Sequence, residues 1–210
     1  MSEKKRIAVL ASGGGTNFQS VVDACASGYI NGEVCLLIYN RREAFVKERA
    51  SKHNIPAIYL NKYMFGGDLD KHDEKMLEIL REYKADLIVL AGYLSKIGKR
   101  VVDAYENAIM NLHPSLIPSF CGEGMYGMSV HKAVVDYGAK LTGATVHFVD
   151  YNFDTGAIIL QKAVEVDFSD DAESVARKVS VIEHKILPEA VKLFCENRLK
   201  VVGRKVQIIE

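Results

Sequence analysis

Short apolar runs alternate with segments of helical period through the first half of the chain, and this alternation constrains the fold most. The apolar run Arg6–Ala11 leads into glycines and then into apolar residues at helical spacing from Phe18 onward. Further strands are predicted at Val34–Tyr39, Ala57–Leu60 and Ala85–Ala91. The last run is continuously apolar, which is typical of a parallel strand buried on both faces. The pattern predicts a Rossmann-like, doubly wound α/β fold whose ligands bind beyond the carboxyl ends of the strands.

The second half of the chain has a different character. A long irregular segment, His113–Gly127, is rich in Pro, Gly and Ser, and loops of this length usually carry function. A helix is predicted at about Val130–Asp136, followed by a hairpin of strands at Ala144–Val149 and Ala157–Gln161. Because a hairpin pairs its strands antiparallel, we expect a mostly parallel but mixed sheet.

Two helices in the pattern can be described in more detail. Asp170 with Glu173 three residues later predicts a capping box at the start of a long helix. Further upstream, Met76, Leu77 and Leu80 predict the apolar stripe of a charged helix. No internal repeat or linker interrupts the sequence, so its 210 residues predict one domain over positions 1–210.

Charge and hydropathy exclude several classes of protein. The 27 Lys and Arg residues balance the 27 Asp and Glu residues, so no excess positive charge favours nucleic acid or anionic lipid. A small-molecule partner is therefore expected. The longest apolar stretch, Leu87–Leu94, is far shorter than the roughly 18 residues of a membrane helix. The mostly basic start, Met1–Arg6, precedes no signal-peptide core, and a cytoplasmic protein is expected.

The cysteines and most histidines are expected to be structural. No C-x-x-C pair occurs, so the cysteines predict neither a disulfide framework nor a metal site and are interpreted as small core residues. They are Cys25, Cys35, Cys121 and Cys195. Four histidines lie in charged, helical contexts and are expected at the surface or in helix caps: His53, His72, His131 and His184.

A glycine-rich turn, Gly13–Asn17, joins the first strand to the first helix. Backbone N–H groups in such a turn can bind an anion at the helix N-terminus. A dinucleotide fingerprint would need glycine at Phe18 and an acidic residue at Asn40, and a Walker loop would need a lysine. A single phosphomonoester remains the more specific candidate for the ligand of this turn. The alternative is a tight loop with Thr16 or Asn17 as helix cap.

Asn111 and His113 come where a buried strand ends, and strand alternation places them on the same side of the backbone. An amide beside an imidazole suits acyl transfer, because the amide can stabilise an oxyanion while the imidazole handles a proton. A strand-end histidine with only a structural hydrogen bond is the competing interpretation.

Asp154 lies in a segment with Gly156 that has the ordinary chemistry of a hairpin turn. If that turn overhangs the strand ends, the carboxylate would orient His113 and raise its pKa. His147, in an alternating strand, is interpreted as a packed or hydrogen-bonded core residue, and no metal is expected.

Three segments read together carry a family resemblance. They are Ser12–Asn17, Asn111–Pro118, and Gly143–Val149 with its downstream Asp154 and Gly156. With these segments in this order, the chain resembles the phosphoribosylglycinamide formyltransferase family, folate-dependent enzymes of purine biosynthesis with a formyltransferase fold. The Asn-x-His-Pro-Ser-Leu-x-Pro motif with its downstream Asp is specific to the formyltransferase superfamily.

The resemblance implies a reaction and roles for individual residues. The implied cosubstrate is 10-formyltetrahydrofolate, and the implied acceptor is 5'-phosphoribosylglycinamide. Asn111, His113 and Asp154 match the catalytic triad of the family. The residues that match its contacts to the ribonucleotide are Gly15, Thr16, Asn17 and Glu183. Those that match the segment bordering the folate pterin are Leu94, Ser95, Lys96 and Ile97, together with Asn111.

Two other functions remain possible at this point. A formyltetrahydrofolate hydrolase has the same triad but uses water as acceptor. A non-catalytic sugar-phosphate binding module would keep the glycine turn and use Asn111 and His113 only to shape a pocket. The expected partners are small molecules, without nucleic acid or membrane, and the expected assembly is a monomer or homodimer.

Overall fold

The computed structural model describes residues 3–210. Met1 and Ser2, which begin the basic segment considered above, lie outside the described residues. The chain divides into two compact units, Met1–Met110 and Asn111–Glu210. The single domain over positions 1–210 stays a prediction.

The first unit alternates strands and helices as the sequence predicts. Its strands are β1 (Lys5–Ala11), β2 (Gly32–Tyr39), β3 (Ala57–Tyr59) and β4 (Leu87–Leu90). Its α-helices are α1 (Thr16–Ala26), α2 (Val46–Lys52), α3 (Leu69–Glu82) and α4 (Lys99–Ala104), with a 3-10 helix at Lys62–Phe65. The strand order is β3-β2-β1-β4, and the three pairings are parallel.

β1 and β4 show why this sheet forms. Ile7 pairs with Leu87 and Leu10 pairs with Leu90, and these positions are buried. Parallel strands covered on both faces accept only apolar side chains, which confirms the interpretation of the continuous apolar runs. Just beyond both strands, the Ser12 N–H donates to the carbonyl oxygen of Gly92 at 3.1 Å. The glycine turn and the segment after β4 therefore start side by side.

The second unit contains a mixed arrangement of strands. β5 (Ile109–His113) carries the chain from the first unit to the second. The remaining elements are α5 (Met128–Tyr137), β6 (Leu141–Phe148), β7 (Ile158–Glu165), α6 (Ala172–Cys195), β8 (Leu199–Val202) and β9 (Lys205–Ile208). The order is β5-β6-β7-β9-β8; β6–β7 and β8–β9 are antiparallel, and β7–β9 is parallel. The α/β fold with a mostly parallel, mixed sheet is thus confirmed.

The start of α6 differs from the prediction by one residue. Asp171, and not Asp170, caps the helix: its Oδ1 accepts from the Ser174 N–H at 2.7 Å. The Ser174 Oγ accepts from the Asp171 N–H at 2.9 Å, which completes a capping box without Glu173. Asp170 instead forms an ion pair with Lys178, and the hydrogen bond from that ammonium lowers the pKa of Asp170 to about 2. A serine hydroxyl can close the box as a glutamate does, so the spacing alone was ambiguous.

Two further expectations need correction in the helices. In α3, Met76 and Leu80 are buried as predicted, but Leu77 is only half-buried. His72 and His131, expected at the surface or in helix caps, are buried at 7% and 6% exposure and lie within α3 and α5. Both lie on the inward stripe of their helices, which a helical period of 3.6 places beside the apolar positions. The charged neighbours in the sequence therefore misled the interpretation of these histidines.

Several classes of feature are absent from residues 3–210. Each helix in this range is too short or too polar to cross a bilayer. The same residues contain no group of three or more His, Cys, Asp or Glu side chains placed to hold a metal ion. None of the four cysteines forms a disulfide; Cys35 and Cys195 are buried as expected, whereas Cys25 and Cys121 are only half-buried.

Candidate active site

The structure brings Asn111, His113 and Asp154 together within the second unit. Strand alternation along β5 directs the two strand residues to one side, as predicted. The Nδ1 atom of His113 lies 3.5 Å from Oδ2 of Asp154. The Asn111 Nδ2 lies 3.4 Å from Oδ1 of the same carboxylate. The side chains of His113 and Asp154 are only 4% and 11% exposed, so this cluster is largely removed from water.

The connection between β6 and β7 carries Asp154 to the cluster. The backbone of Asp154 has a φ of 56°, a left-handed conformation that aspartate adopts more readily than most residues. Two residues later, a Cβ on Gly156 would collide with the carbonyl oxygen of Phe148. Only glycine therefore permits this close return of the chain to β6. The Asp-x-Gly spacing is a turn motif and, at the same time, the means of placing the carboxylate.

His147 is a fourth polar residue in the cluster. A register shift in β6 falls between Val146 and His147, and such bulges re-aim side chains. The His147 Nδ1–H donates to the carbonyl oxygen of Phe148 at 2.7 Å. In the neutral ring, Nε2 is then an acceptor, and the Asn111 Nδ2–H donates to it at 3.1 Å. His147 is buried and hydrogen-bonded as predicted, but its partner is a candidate catalytic side chain.

Backbone groups of the irregular segment complete the surroundings of the cluster. The His113 Nε2–H donates to the carbonyl oxygen of Phe120 at 2.9 Å, so Nε2 carries the proton in the neutral ring. The Ser115 hydroxyl donates to the carbonyl oxygen of Ser119 at 2.6 Å and lies 3.2 Å from the Phe120 oxygen. The Gly122 N–H donates to Oδ2 of Asp154 at 2.9 Å. The segment after Pro118 thus contacts both members of the His113–Asp154 pair.

The pKa of His113 moves in the opposite direction to the one expected. Burial lowers the pKa of His113 from its ordinary value, and the charge of Asp154 and the Phe120 carbonyl raise it by less. The net shift is downward, because the imidazolium loses more hydration in this buried position than Asp154 restores. His113 is therefore neutral at neutral pH. Asp154 lies beside the ring, 3.5 Å from Nδ1, but a raised pKa of His113 is not seen.

Asp154 stays ionised although it is buried. Burial raises its pKa, but the Gly122 N–H, which donates to Oδ2, and the neighbouring rings of His147 and His113, which favour the carboxylate most when they are protonated, together outweigh that effect. The net pKa of Asp154 lies below the usual value. A carboxylate that is charged, buried and 3.5 Å from a neutral imidazole is poised to stabilise the imidazolium when a proton arrives.

The glycine turn lies in the first unit and starts α1 without a side-chain cap. Gly15 occupies the N-cap position with a φ of 74°, and neither Thr16 nor Asn17 caps the helix. A Cβ on Gly15 would lie 2.5 Å from Cγ2 of Val46, so α2 packs directly against the turn. The prediction that Thr16 or Asn17 caps α1 is therefore wrong, since Gly15 is the N-cap residue. Uncapped N–H groups at a helix start are the donors that anions use.

The remaining predicted contact residues lie in two places. The segment Leu94–Ile97 follows β4, and the Leu94 N–H donates to the Ser12 Oγ at 2.9 Å. The Asn40 Nδ2–H donates to Ser95 Oγ at 2.8 Å, which anchors this segment to the end of β2. Leu94 is exposed, whereas Ile97 is buried. Glu183 lies half-buried on α6 in the second unit.

Sequence reasoning missed two features of these sites. The first is the contribution of the Phe120 carbonyl and the Gly122 N–H, because backbone groups leave no signature in side-chain patterns. The second is Arg49, whose Nε–H donates to the carbonyl oxygen of Gly14 at 2.7 Å. It lies 35 residues beyond the turn. The helical period of α2 places it on the face next to the buried Val46, but only the fold brings that face to the turn.

Comparison with known proteins places the chain in a family. The family model described as "Formyl transferase" matches residues 5–191. The phosphoribosylglycinamide formyltransferase of Bacillus subtilis is 37% identical over 90% of this chain and 93% of its own length. The chain belongs to the phosphoribosylglycinamide formyltransferase family.

Other members of this family agree in sequence and in fold. The chloroplastic phosphoribosylglycinamide formyltransferase of Arabidopsis thaliana is 40% identical over 94% of this chain and 68% of its own length. The crystal structure of glycinamide ribonucleotide transformylase 1 from Symbiobacterium toebii superposes with a TM-score of 0.94 at 38% identity, and covers 100% of this chain and 96% of that chain. The resemblance inferred from the motifs is confirmed, and neither a hydrolase nor a binding module is favoured.

Proposed function

We propose that this protein transfers the formyl group of 10-formyltetrahydrofolate to the amino group of 5'-phosphoribosylglycinamide. The products are formylglycinamide ribonucleotide and tetrahydrofolate. The observation that carries the proposal is the buried cluster of Asn111, His113 and ionised Asp154, in a member of the phosphoribosylglycinamide formyltransferase family. An amide can stabilise the oxyanion of acyl transfer to an amine, an imidazole can transfer the proton, and a carboxylate can stabilise the charged imidazole.

In the proposed reaction, the acceptor amine attacks the formyl carbon and a new C–N bond forms. The tetrahedral intermediate then loses its bond to N10 of the folate, which leaves as tetrahydrofolate. The amine gives up one proton and N10 gains one, so protons balance. Asp154 stabilises the imidazolium of His113 while the proton is in transit, because a carboxylate 3.5 Å away favours the charged ring.

Asn111 is proposed to stabilise the oxyanion. One of its amide hydrogens is directed to Nε2 of His147 at 3.1 Å, which fixes the side chain. The second contact, to Asp154 at 3.4 Å, is long for a hydrogen bond. That N–H can therefore turn to the substrate oxygen as negative charge develops there. Likewise, the His113 Nε2–H must exchange its bond to Phe120 for one to the substrate.

The substrate contacts are proposed as follows. Gly15, Thr16 and Asn17 bind the phosphate through backbone N–H groups at the start of α1, as the uncapped helix end favours. Glu183 contacts the ribonucleotide. The folate pterin borders Leu94, Ser95, Lys96 and Ile97, together with Asn111. Ser95 is held by Asn40, so the backbone of this segment is available in a fixed conformation.

One assay tests the proposed function against its alternatives. The protein is mixed with 10-formyltetrahydrofolate, with and without 5'-phosphoribosylglycinamide, and release of tetrahydrofolate is followed. Release that requires the acceptor supports the proposal. Equal release without acceptor would identify a hydrolase, and binding of both ligands without release would identify a binding module. His113→Ala serves as the inactive control, since the proposed chemistry depends on its imidazole.

The setting of the reaction is also a proposal. A zero net charge argues for small-molecule substrates and against nucleic acid. Four cysteines without a disulfide fit a reducing compartment such as the cytoplasm. The enzyme is proposed to act as a monomer or homodimer, and light scattering at working concentration distinguishes the two.

A further inference from the structure

Arg49 on α2 is in direct contact with the glycine turn. Its Nε–H donates to the carbonyl oxygen of Gly14 at 2.7 Å. Its Nη1–H donates to Oε1 of Gln19 on α1 at 3.4 Å. The guanidinium carbon lies 5.5 Å from the centre of the Phe45 ring, within range of a cation–π interaction. One side chain thus connects α2, the turn and α1.

Gln19, which Arg49 contacts through the longer of its two hydrogen bonds, is itself held in place. Its Nε2 donates to Oδ1 of Asp23 at 2.8 Å and lies 2.8 Å from Nε2 of His53. Gln19 is therefore held by one residue of its own helix and by one at the end of α2. With its amide nitrogen engaged on that side, the Gln19 oxygen faces Arg49.

The carbonyl groups of the turn determine where its N–H groups point. The Val46 N–H donates to the Gly13 carbonyl at 3.1 Å, and Arg49 donates to the Gly14 carbonyl. In a trans peptide the C=O and the following N–H point in opposite directions. Because both carbonyls face α2, the N–H groups of Gly14 and Gly15 point away from it. Successive N–H groups directed to one side form a concave anion site.

The turn itself contributes no charged side chain between Ser12 and Asn17. Arg49 is always protonated and carries five N–H donors, more than its two contacts with Gly14 and Gln19 use. It therefore adds a full positive charge where the backbone offers only partial ones. In a chain of zero net charge, attraction for a phosphorylated substrate has to be local.

We propose that Arg49 is a positioning residue for the phosphate of the acceptor. It holds the Gly14 carbonyl against α2, so that the N–H groups of the turn face the phosphate, and its charge strengthens their interaction with the dianion. The inference rests on the proposed function, in which this turn binds the phosphate of 5'-phosphoribosylglycinamide.

Kinetics with two acceptors test the inference. Arg49→Gln is compared with wild type on 5'-phosphoribosylglycinamide and on the same nucleoside without its phosphate. We expect KM for the phosphorylated acceptor to rise roughly 10- to 100-fold, as loss of a charge-assisted hydrogen bond implies. We expect kcat, KM for the folate and kcat/KM for the unphosphorylated acceptor to stay unchanged. Arg49→Lys keeps the charge without the planar fork and should rescue only part of the loss.

Control variants separate Arg49 from general charge and from folding. Lys52→Gln removes one positive charge from the exposed end of the same helix and should leave KM unchanged. Gln19→Ala leaves the charge of Arg49 and its bond to Gly14 in place but removes the 3.4 Å contact with Nη1, and should raise KM by a smaller factor. Circular dichroism and thermal melting establish that each variant is folded, and Gln19→Ala carries the test if Arg49→Gln does not fold.

Binding of inorganic phosphate, measured by calorimetry, distinguishes this inference from the proposed function. If phosphate binds the wild-type protein and binds Arg49→Gln more weakly, the role of Arg49 is supported even if no formyl transfer is found. Equal phosphate affinity in the two proteins, or an equal loss of kcat/KM on both acceptors, would overturn it. Absence of phosphate binding to wild type would overturn it as well.

Discussion

Nδ1 of His113 and Oδ2 of Asp154 lie 3.5 Å apart in a region where both side chains are nearly inaccessible to water. The carboxylate is ionised and the imidazole neutral, since burial lowers the pKa of His113 more than Asp154 raises it. The pair is thus prepared to accept a proton rather than already protonated. Its contribution to catalysis is then expected in kcat, because the charge pair forms only during the reaction.

Asp154→Asn is therefore expected to lower kcat on the order of 100-fold or more, as loss of a key electrostatic group in acyl transfer does. KM for both substrates should change little. Steady-state kinetics with each substrate varied in turn measure this. Asp136→Asn, an exposed acidic residue on α5, is the matched control and should behave as wild type. Wild-type kcat in Asp154→Asn would remove this residue from the mechanism.

His147 is expected to act through Asn111. Its Nε2 accepts from the Asn111 amide at 3.1 Å, so His147→Ala should free that amide and lower kcat. Because both residues serve one interaction, the double variant with Asn111→Ala should be no slower than Asn111→Ala alone. A double-mutant cycle measures this coupling. Additive effects on ln kcat would show that His147 contributes independently.

Gly15→Ala is expected to lower the free energy of unfolding by about 1–3 kcal/mol, from the left-handed backbone and the contact that a Cβ makes with Val46. KM for the phosphorylated acceptor should rise in the same variant. Gly14→Ala is the control, since a Cβ there meets nothing within 4 Å. Urea unfolding compares the two. Equal stability of both variants would contradict the packing of α2 against the turn.

Stability should fall as the pH decreases below 6.5. Burial lowers the pKa values of His72, His113 and His131 from the usual 6.5, so the unfolded chain binds protons that the native state does not. The free energy of unfolding then rises with pH between the lowered pKa values of these histidines and 6.5, and changes little above 6.5. Urea unfolding between pH 5.5 and 7.5 measures it. His72→Phe should reduce the slope of stability with pH, and an unchanged slope in that variant would contradict burial of His72 as a cause.

Much of the architecture could be predicted from local patterns. The order of strands and helices follows from the hydrophobic period of the sequence. The alternation of side chains along a strand places Asn111 and His113 on the same side of β5. α4 was missed because its six residues are too few to show a period, and it is capped from α3, where Asp73 Oδ2 accepts from the Arg100 N–H at 2.8 Å. Contacts of that kind join distant positions and leave no local signal.

Periodicity and motif spacing are properties of neighbouring positions, so the α/β class, the family and the candidate residues Asn111, His113 and Asp154 could be predicted from the amino-acid sequence alone. Three features arise only on folding. His113 is neutral, its Nε2–H donates to the Phe120 carbonyl, and Arg49 donates to the Gly14 carbonyl. Each of these depends on burial or on a contact between distant segments. Desolvation and hydrogen-bond geometry exist only once the chain has folded, and they determine the charge and orientation of the candidate catalytic groups.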